Sequence, residues 1–213
     1  MSSHIPLVIV VSGPSGAGKS TILQAALQEV PQLRFSVSHT TRPSRHEERE
    51  GVEYHFVSRD EFMRLAMQET FLEWAEVHGH CYGTSRTEYA RAAEDRVDLL
   101  LDLDVQGAEK VRSTFTDSVS IFILPPSYQH LERRLRSRGT SDEAAFARRL
   151  AVAREEMELF PKYDYAIIND DLDLSVESLK AIIRAARCRT SRIEPAARKI
   201  LSTFDPGQKE ESR

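Results

Sequence analysis

Short apolar runs recur along the chain, and segments with helical patterns separate them. The runs are Leu7–Val11, Val97–Leu103, Val119–Leu124 and Tyr165–Ile168. Apolar runs of this length are typical of strands buried inside a parallel sheet. Because strands and helices alternate, crossover connections are required. The pattern therefore predicts an α/β fold, with a parallel sheet that carries helices on both faces.

The segment from about residue 35 to residue 84 does not continue this alternation. It contains the strand-like runs Phe35–Ser38, Tyr54–Val57 and Phe71–Val77. We expect it to form a small mixed α/β insert on the parallel core.

Expected helix starts are marked by a serine or threonine with a glutamate three positions later. The pairs are Ser58 with Glu61, Ser85 with Glu88, and Thr140 with Glu143. In such a capping box the two side chains satisfy backbone N–H groups that the first helical turn leaves without partners. The first pair predicts a helix from about Arg59 to Met67.

The first apolar run leads into a glycine-rich turn that matches the motif G-x-x-x-x-G-K-[ST] at every fixed position. The turn reads Gly13, Pro14, Ser15, Gly16, Ala17, Gly18, Lys19 and Ser20. Its glycines let backbone N–H groups curl around an anion, and the helix that follows directs its positive end at the same anion. Lys19 suits β and γ phosphates, and the Ser20 hydroxyl suits Mg²⁺. A turn that binds nothing is the alternative, but the strand before it and the helix after it favour a nucleotide site.

Polar residues are expected where the core strands end. Asp102 and Asp104 close the second apolar run and share one face, since side chains alternate along a strand. Such aspartates hold Mg²⁺ or its waters in phosphate-loop enzymes, although a turn-forming role is the alternative. The carboxyl ends of parallel strands line the ligand cleft of an open sheet. We therefore expect Ser12, Ser38, Asp102 and Asn169 to converge.

Arginines are concentrated in two polar segments. One segment, residues 39–51, contains Arg42, Arg45 and Arg49, and the other contains Arg133, Arg134, Arg136 and Arg138. Either segment could be an ordinary solvated surface. Arginine also binds phosphate with two parallel hydrogen bonds, and a phosphoryl group in transfer needs positive charge around its oxygens. A kinase that acts on a nucleoside monophosphate would use both segments.

Composition narrows the possible partners. The 213 residues suffice for one sizeable core, and the formal net charge of −4 gives no bulk attraction to nucleic acid. No apolar run approaches the roughly 20 residues of a membrane span. The two cysteines, Cys81 and Cys188, are far apart and form no metal motif, and the first residues do not resemble a signal peptide. We expect a cytoplasmic protein that binds neither nucleic acid nor membrane.

Taken in order, the motifs resemble guanylate kinase, most closely the bacterial type. They are SGPSGAGKST, FSVSHTTRPSR, EYHFV, FLEWAEVHGHCYGT, LLLDLDVQG, RLRSRGTSDEAAFARRL and YDYAIINDDL, and they span about Leu7 to Arg187. The resemblance implies a nucleoside monophosphate kinase of the phosphate-loop superfamily, which uses Mg²⁺ and transfers a phosphoryl group from ATP to GMP, giving ADP and GDP.

The resemblance also implies a domain plan. It places a guanylate-kinase-like domain at 5–188, with core segments 5–34, 88–126 and 158–188, a GMP-binding segment at 35–87 and a helical lid at 127–157. A helical extension and charged tail follow at 189–213, and this extension is a possible contact between copies of the chain.

The same resemblance implies roles for individual residues. ATP would contact the phosphate loop at residues 13–21, the last of which is Thr21, with Arg134 and Asn169 near its base. The phosphate of GMP would contact Arg42, Arg45, Tyr54 and Tyr82. Its guanine would contact Ser38, Glu73, Thr84 and Asp102. The catalytic charges would come from Lys19, Arg42, Arg138 and Arg149. The Mg²⁺ ligands would be Ser20, Asp102 and Asp104, with the aspartates acting through water.

Glu73 stands among bulky apolar residues, where a carboxylate needs a partner. The Watson–Crick edge of guanine offers two donors that one carboxylate can accept, whereas adenine presents an acceptor at N1. One such contact discriminates by about 1–3 kcal/mol. The chain departs from the family at Ser44, where proline is usual, and at Glu47, where glycine is usual, so the mobility of the arginine loop could differ.

Two other functions compete with this interpretation. The guanylate-kinase-like modules of membrane-scaffold proteins bind protein, but they typically lack an intact phosphate loop, whereas Lys19 and Ser20 are both present here. A related kinase acting on a sugar phosphate would keep the loop, but it would have no use for Glu73 and Ser38. Both comparisons favour a kinase that acts on GMP.

Overall fold

A computed structural model describes residues 4–45, 48–77, 79–137 and 143–204. The strands are β1 Val8–Ser12, β2 Leu33–Phe35, β3 Ser38–Thr40, β4 Tyr54–Phe56, β5 Phe71–Val77, β6 His80–Ser85, β7 Asp98–Asp102, β8 Val119–Leu124 and β9 Tyr165–Ile168. The α-helices are α1 Lys19–Glu29, α2 Arg59–Met67, α3 Arg86–Asp95, α4 Val105–Thr114, α5 Tyr128–Ser137, α6 Glu143–Met157, α7 Leu172–Arg187 and α8 Thr190–Leu201. Two short 3₁₀ helices lie at Phe160–Lys162 and Ser202–Phe204.

The core is a parallel sheet of five strands in the order β2-β7-β1-β8-β9. All five residues of β1 are buried, because successive side chains point to opposite faces and helices cover both faces. Ile9 and Val11 pack with residues of α1 and α7, whereas Val8 and Val10 pack with residues of α3 and α4. Each fully buried aliphatic side chain contributes about 1.5–3 kcal/mol to folding. The predicted fold class is confirmed.

A second, mixed sheet of four strands has the order β4-β3-β6-β5. Strands β3 and β4 run parallel, while β6 runs antiparallel to both β3 and β5. All its strands come from residues 38–85, which agrees to within a few residues with the segment for which the sequence predicts a mixed insert. The register of β5 and β6 places Glu73 opposite Thr84.

The prediction of one continuous strand over Phe35–Ser38 is wrong. Phe35 ends β2 in the parallel sheet, and Ser38 begins β3 in the second sheet. Ser36 N–H still donates to Leu100 O of β7 at 2.9 Å, but the next N–H, that of Val37, points toward the Glu88 carboxylate at 3.4 Å. Ser38 therefore lies at the start of a strand in the second sheet, and the expectation that it ends a core strand is wrong as well.

The capping pairs have different outcomes. Ser58 caps α2 by accepting the Glu61 N–H at 3.1 Å, as predicted, but the Glu61 carboxylate bonds Arg64 instead of closing the box. Ser85 caps α3 through Thr87 N–H at 3.2 Å, while the Glu88 side chain turns to β2 and the segment after it instead of closing a capping box. Thr140 lies outside the described residues. No described helix is long and apolar enough to cross a membrane.

Candidate active site

The carboxyl ends of β1 and β7 open into a cleft of about 540 Å³, and the second sheet forms the opposite wall. Most of the glycine-rich turn lines one end of this cleft. The other predicted residues that line it are Ser38, Arg42, Arg45, Tyr54, Glu73, Tyr82, Asp102 and Asp104. Folding therefore brings together residues from four separate segments of the chain.

The glycine-rich turn has the backbone that its sequence predicts. Gly13, Gly16 and Gly18 have φ values of 141°, 91° and 94°, in the region that side chains disfavour. A Cβ on Gly13 would also lie 2.3 Å from the Ile123 carbonyl oxygen of β8. The turn thus curls tightly against the sheet, and its N–H groups lead into the positive end of α1.

Lys19, the first residue of α1, folds back across the turn. Its Nζ donates to Gly13 O at 2.7 Å and lies 3.8 Å from Asp102 Oδ1. The side chain is 16% exposed, so the ammonium faces the cleft rather than bulk solvent. A cation held at this point is suited to the outer phosphates of a nucleoside triphosphate.

Arg134 and Asn169 brace the turn at the start of α1. Arg134 Nη1 donates to Ala17 O at 3.1 Å, and Asn169 Nδ2 donates to the same oxygen at 2.7 Å. A Cβ on Gly18 would lie 2.2 Å from Asn169 Nδ2. The two residues expected near the base of ATP thus also fix the conformation of the phosphate loop.

At the other end of the cleft, Glu48 holds Arg42. The Arg42 Nη2 donates to both carboxylate oxygens of Glu48, at 2.8 and 2.9 Å, and its Nη1 donates to Pro43 O at 2.8 Å. Glu48 also accepts the backbone N–H of Arg45 at 2.8 Å. Burial favours a higher pKa for Glu48, but the hydrogen bonds from Arg42 and Arg45 outweigh it and lower the pKa.

Two tyrosines complete the surroundings of this arginine. The Tyr54 ring centre lies 5.5 Å from the Arg42 guanidinium carbon and 6.0 Å from the Tyr82 ring centre. Burial raises the pKa of Tyr54 well above its usual value, with a further contribution from the negative charge of Asp102. The phenol therefore stays protonated and is able to donate to an anion. Arg45 is more open, with its side chain 63% exposed.

Glu73 is a buried carboxylate, only 6% exposed, on the central part of β5. Its Oε1 accepts from the Thr84 N–H at 3.2 Å and from the Thr84 hydroxyl at 2.7 Å. Burial raises the pKa of Glu73 to about 7, since the hydrogen bonds from Thr84 only partly offset the loss of water. Thr84 is therefore the partner that a buried carboxylate requires. The Glu73 side chain also lines the cleft, where it can accept hydrogen bonds from a ligand.

Asp104 has the turn-forming role that the sequence leaves as the alternative. Its Oδ1 caps α4 by accepting the Gln106 and Gly107 N–H groups at 2.7 and 3.2 Å. Among the described residues, no group of three or more His, Cys, Asp or Glu side chains forms a cage for a metal. The donor set of Ser20, Asp102 and Asp104 fits Mg²⁺ nonetheless, because Mg²⁺ takes few protein ligands and completes its shell with phosphate oxygens and water.

Neither predicted lid arginine is among the described residues that line the cleft. Arg138 lies outside the described residues, and Arg149 is half-buried on α6 but absent from the described residues that line the cleft. Glu156, two turns later on the same helix, does line it and accepts the Ser15 N–H of the phosphate loop. Burial raises the pKa of Glu156, while the Ser15 hydrogen bond and the Lys19 charge oppose this shift.

Sequence reasoning missed the roles of Glu48 and Glu156. Glu48 stands three residues after Arg45, in a segment where the two charges alternate, and that spacing is its only local signal. Glu156 stands on a polar position of α6, where a solvated glutamate would look the same. The Glu156 contact depends on how distant segments pack, and the Glu48 contacts depend on the conformation of an irregular loop.

Comparison with known proteins agrees with this geometry. The family model described as guanylate kinase matches residues 6–186. The chain is 46% identical to the guanylate kinase of Syntrophotalea carbinolica over 92% of this chain and 93% of that one. It is 50% identical to that of Symbiobacterium thermophilum, over 87% and 88% of the two chains.

A solved structure is similar over the same region. The crystal structure of guanylate kinase from Anaplasma phagocytophilum superposes with a TM-score of 0.75 at 35% sequence identity, covering 89% of this chain and 90% of that one. The match of the family model, the close relatives and the fold agree with one another and with the resemblance of the motifs. The chain is an enzyme of the guanylate kinase family.

Proposed function

We propose that the protein transfers the γ-phosphoryl group of ATP to GMP, giving ADP and GDP. The observation that carries the proposal is a single cleft with two unlike ends. One end is the phosphate loop with Lys19, and the other joins Arg42, Tyr54 and the buried Glu73. Two anionic nucleotides lying end to end would fill this arrangement, which is what in-line phosphoryl transfer requires.

The donor end would bind ATP through residues 13–21, all of which except Pro14 carry a backbone N–H group, and through the Lys19 ammonium. The positive end of α1 favours the same anion. The acceptor of the reaction is a phosphate oxygen that is already anionic, so no strong general base is needed. Catalysis then rests on positioning and on charge stabilisation.

The acceptor end would hold the GMP phosphate with Arg42, Arg45, Tyr54 and Tyr82. The Glu48 carboxylate fixes one edge of the Arg42 guanidinium, which limits the orientations it can present to the phosphate. Arginine is suited to this task because its planar fork matches two phosphate oxygens. Two phenols add neutral donors, which stabilise the anion without adding charge.

The guanine would lie against Ser38, Glu73, Thr84 and Asp102. Thr84 fixes the Glu73 Oε1, so the carboxylate has one orientation in the cleft. An ionised carboxylate accepts the N1–H and N2–H₂ of guanine but faces a lone pair in adenine. The buried position makes a mismatch costly, since an unpaired buried polar group loses about 1–3 kcal/mol.

Mg²⁺ and the lid would complete the transfer. Mg²⁺, when bound, neutralises phosphate charge, and Ser20, Asp102 and Asp104 are the residues that would hold it, the aspartates through water. Arg138 and Arg149 belong to the segment 127–157, which we propose closes over the nucleotides to add positive charge and exclude water.

Two further points concern the setting of the enzyme. We propose that it acts in the cytoplasm, where its nucleotide substrates are found.

Helix α8 exposes Ile193, Ile200 and Leu201, which makes it the candidate contact in a homo-oligomer. Sedimentation of the full chain and of a chain with polar substitutions at these three positions tests the second point.

A phosphorylation assay with GMP, AMP and ribose 5-phosphate as acceptors tests the proposed function. We expect rapid formation of ADP when GMP is the acceptor, and none when AMP or ribose 5-phosphate replaces it. Comparable turnover of AMP would contradict the role of Glu73 in base selection, and turnover of the sugar phosphate would favour the rival kinase. Lack of turnover with all three, together with peptide binding, would favour a protein-binding module.

A further inference from the structure

Gly107, in the first turn of α4, lies directly against the Glu73 carboxylate. A Cβ added to Gly107 would be 2.8 Å from Glu73 Oε2 and 3.4 Å from its Cδ. The first distance is far inside van der Waals contact, so any other residue at this position requires something to move. Asp104 Oδ2 would lie at 3.5 Å, an ordinary contact distance.

Glycine at this position has no backbone explanation. Among the described residues, the glycines with positive φ are Gly13, Gly16, Gly18, Gly51 and Gly79, and Gly107 is not one of them. It is buried in a regular helix, where alanine is the better helix former. The feature that distinguishes the position is the carboxylate opposite it.

Helix α4 cannot easily move away from β5 to relieve such a contact. Lys110, one turn after Gly107, donates from Nζ to the carbonyl oxygen of Trp74, the residue that follows Glu73. The same Nζ lies 5.4 Å from the centre of the Trp74 ring. The Asp104 cap fixes the start of the helix. An added side chain would therefore displace the flexible tip of Glu73 rather than the helix.

We propose that Gly107 is a positioning residue for base selection, because its lack of a side chain leaves room for the Glu73 carboxylate to stand where it meets the guanine edge. This rests on the proposed function, in which Glu73 reads guanine. Thr84 holds Oε1 and the bare Cα of Gly107 leaves room for Oε2, so each carboxylate oxygen has its own neighbour that limits its position.

The test is Gly107→Ala, measured by steady-state kinetics with GMP and ATP and by thermal unfolding. We expect KM for GMP to rise about tenfold or more, the range that one base contact spans. We expect KM for ATP to stay unchanged. The melting temperature should stay unchanged or increase. Gln106→Ala, an exposed position in the same turn, is the matched control and should change none of these values.

Glu73→Gln and the double variant separate the possible failures. If Glu73→Gln leaves KM for GMP unchanged, the proposed guanine-reading role fails. If Glu73→Gln raises it but Gly107→Ala does not, only the role of Gly107 is overturned. In the Glu73→Gln background, Gly107→Ala should add little to KM for GMP, because coupled residues are not additive. A lower melting temperature for Gly107→Ala with equal losses for both nucleotides would mean that the helix absorbs the clash, which also overturns the proposal.

Discussion

Replacing Glu73 with glutamine is expected to stabilise the protein and to weaken GMP binding far more than ATP binding. The pKa of Glu73 is about 7 in the folded chain, against an ordinary value of 4.5. A difference of this size corresponds to about 3 kcal/mol between the two protonation states. The ionised form is less favourable by this amount because the buried carboxylate has lost its contact with water. The hydrogen bonds from Thr84 recover only part of that free energy.

The sign of the pH dependence follows from the raised pKa. The folded state binds the Glu73 proton more tightly than the unfolded state does. The protonated Glu73 side chain therefore makes its full contribution to the free energy of unfolding below about pH 4.5. This contribution is lost as the pH rises to about 7. Glutamine is always neutral, and its oxygen can still accept both bonds from Thr84. The Glu73→Gln chain should therefore exceed the wild type in free energy of unfolding by up to about 3 kcal/mol at pH 8, and by little at pH 4.5.

Urea unfolding followed by circular dichroism at several pH values between 4.5 and 8 measures this difference, and calorimetry with GMP measures the binding loss. Glu76→Gln is the control, because Glu76 lies on the same strand but is exposed and paired with Arg59. A Glu73→Gln chain that is less stable at pH 8, or a difference independent of pH, would refute the reasoning. Equal weakening of GMP and ATP would contradict the base-selection role.

Three more predictions follow from the two ends of the cleft. Lys19→Ala should lower kcat by orders of magnitude while calorimetry shows unchanged GMP binding, because Lys19 serves the donor phosphates; loss of GMP binding would mean that the ends are assigned wrongly. Glu48→Gln should raise KM for GMP several-fold and leave KM for ATP unchanged, since the amide cannot hold both hydrogens of Arg42 Nη2; tighter GMP binding would instead identify Glu48 as a competitor of the phosphate. Asn169→Ala should weaken ATP more than GMP in the same titrations, because it removes a 2.7 Å bond that fixes Ala17 in the loop; an equal effect on both nucleotides would point to general destabilisation.

Local patterns were sufficient to predict the phosphate loop and the class of the fold. The glycines at 13, 16 and 18 indicate a backbone with positive φ, which other residues rarely adopt, and this can be predicted from the sequence alone. The continuous apolar run before them predicts a strand covered on both faces, as β1 is. The Ser58 cap likewise spans only four consecutive residues. Such features are encoded over a few positions, so they can be read before the chain is folded.

Features that depend on long-range packing were decided only by the tertiary structure. The chain leaves one sheet at Phe35 and enters another at Ser38, and between them the Val37 N–H points toward the carboxylate of Glu88, 51 residues later in the chain. The pairing of Glu48 with Arg42 spans only six residues, yet it needs an irregular loop that no periodicity predicts. The approach of Gly107 to Glu73 joins a helix and a strand from different layers. The sequence determined which chemical groups this enzyme has, and packing determined which of them meet, because a contact between distant segments leaves no pattern in either segment alone.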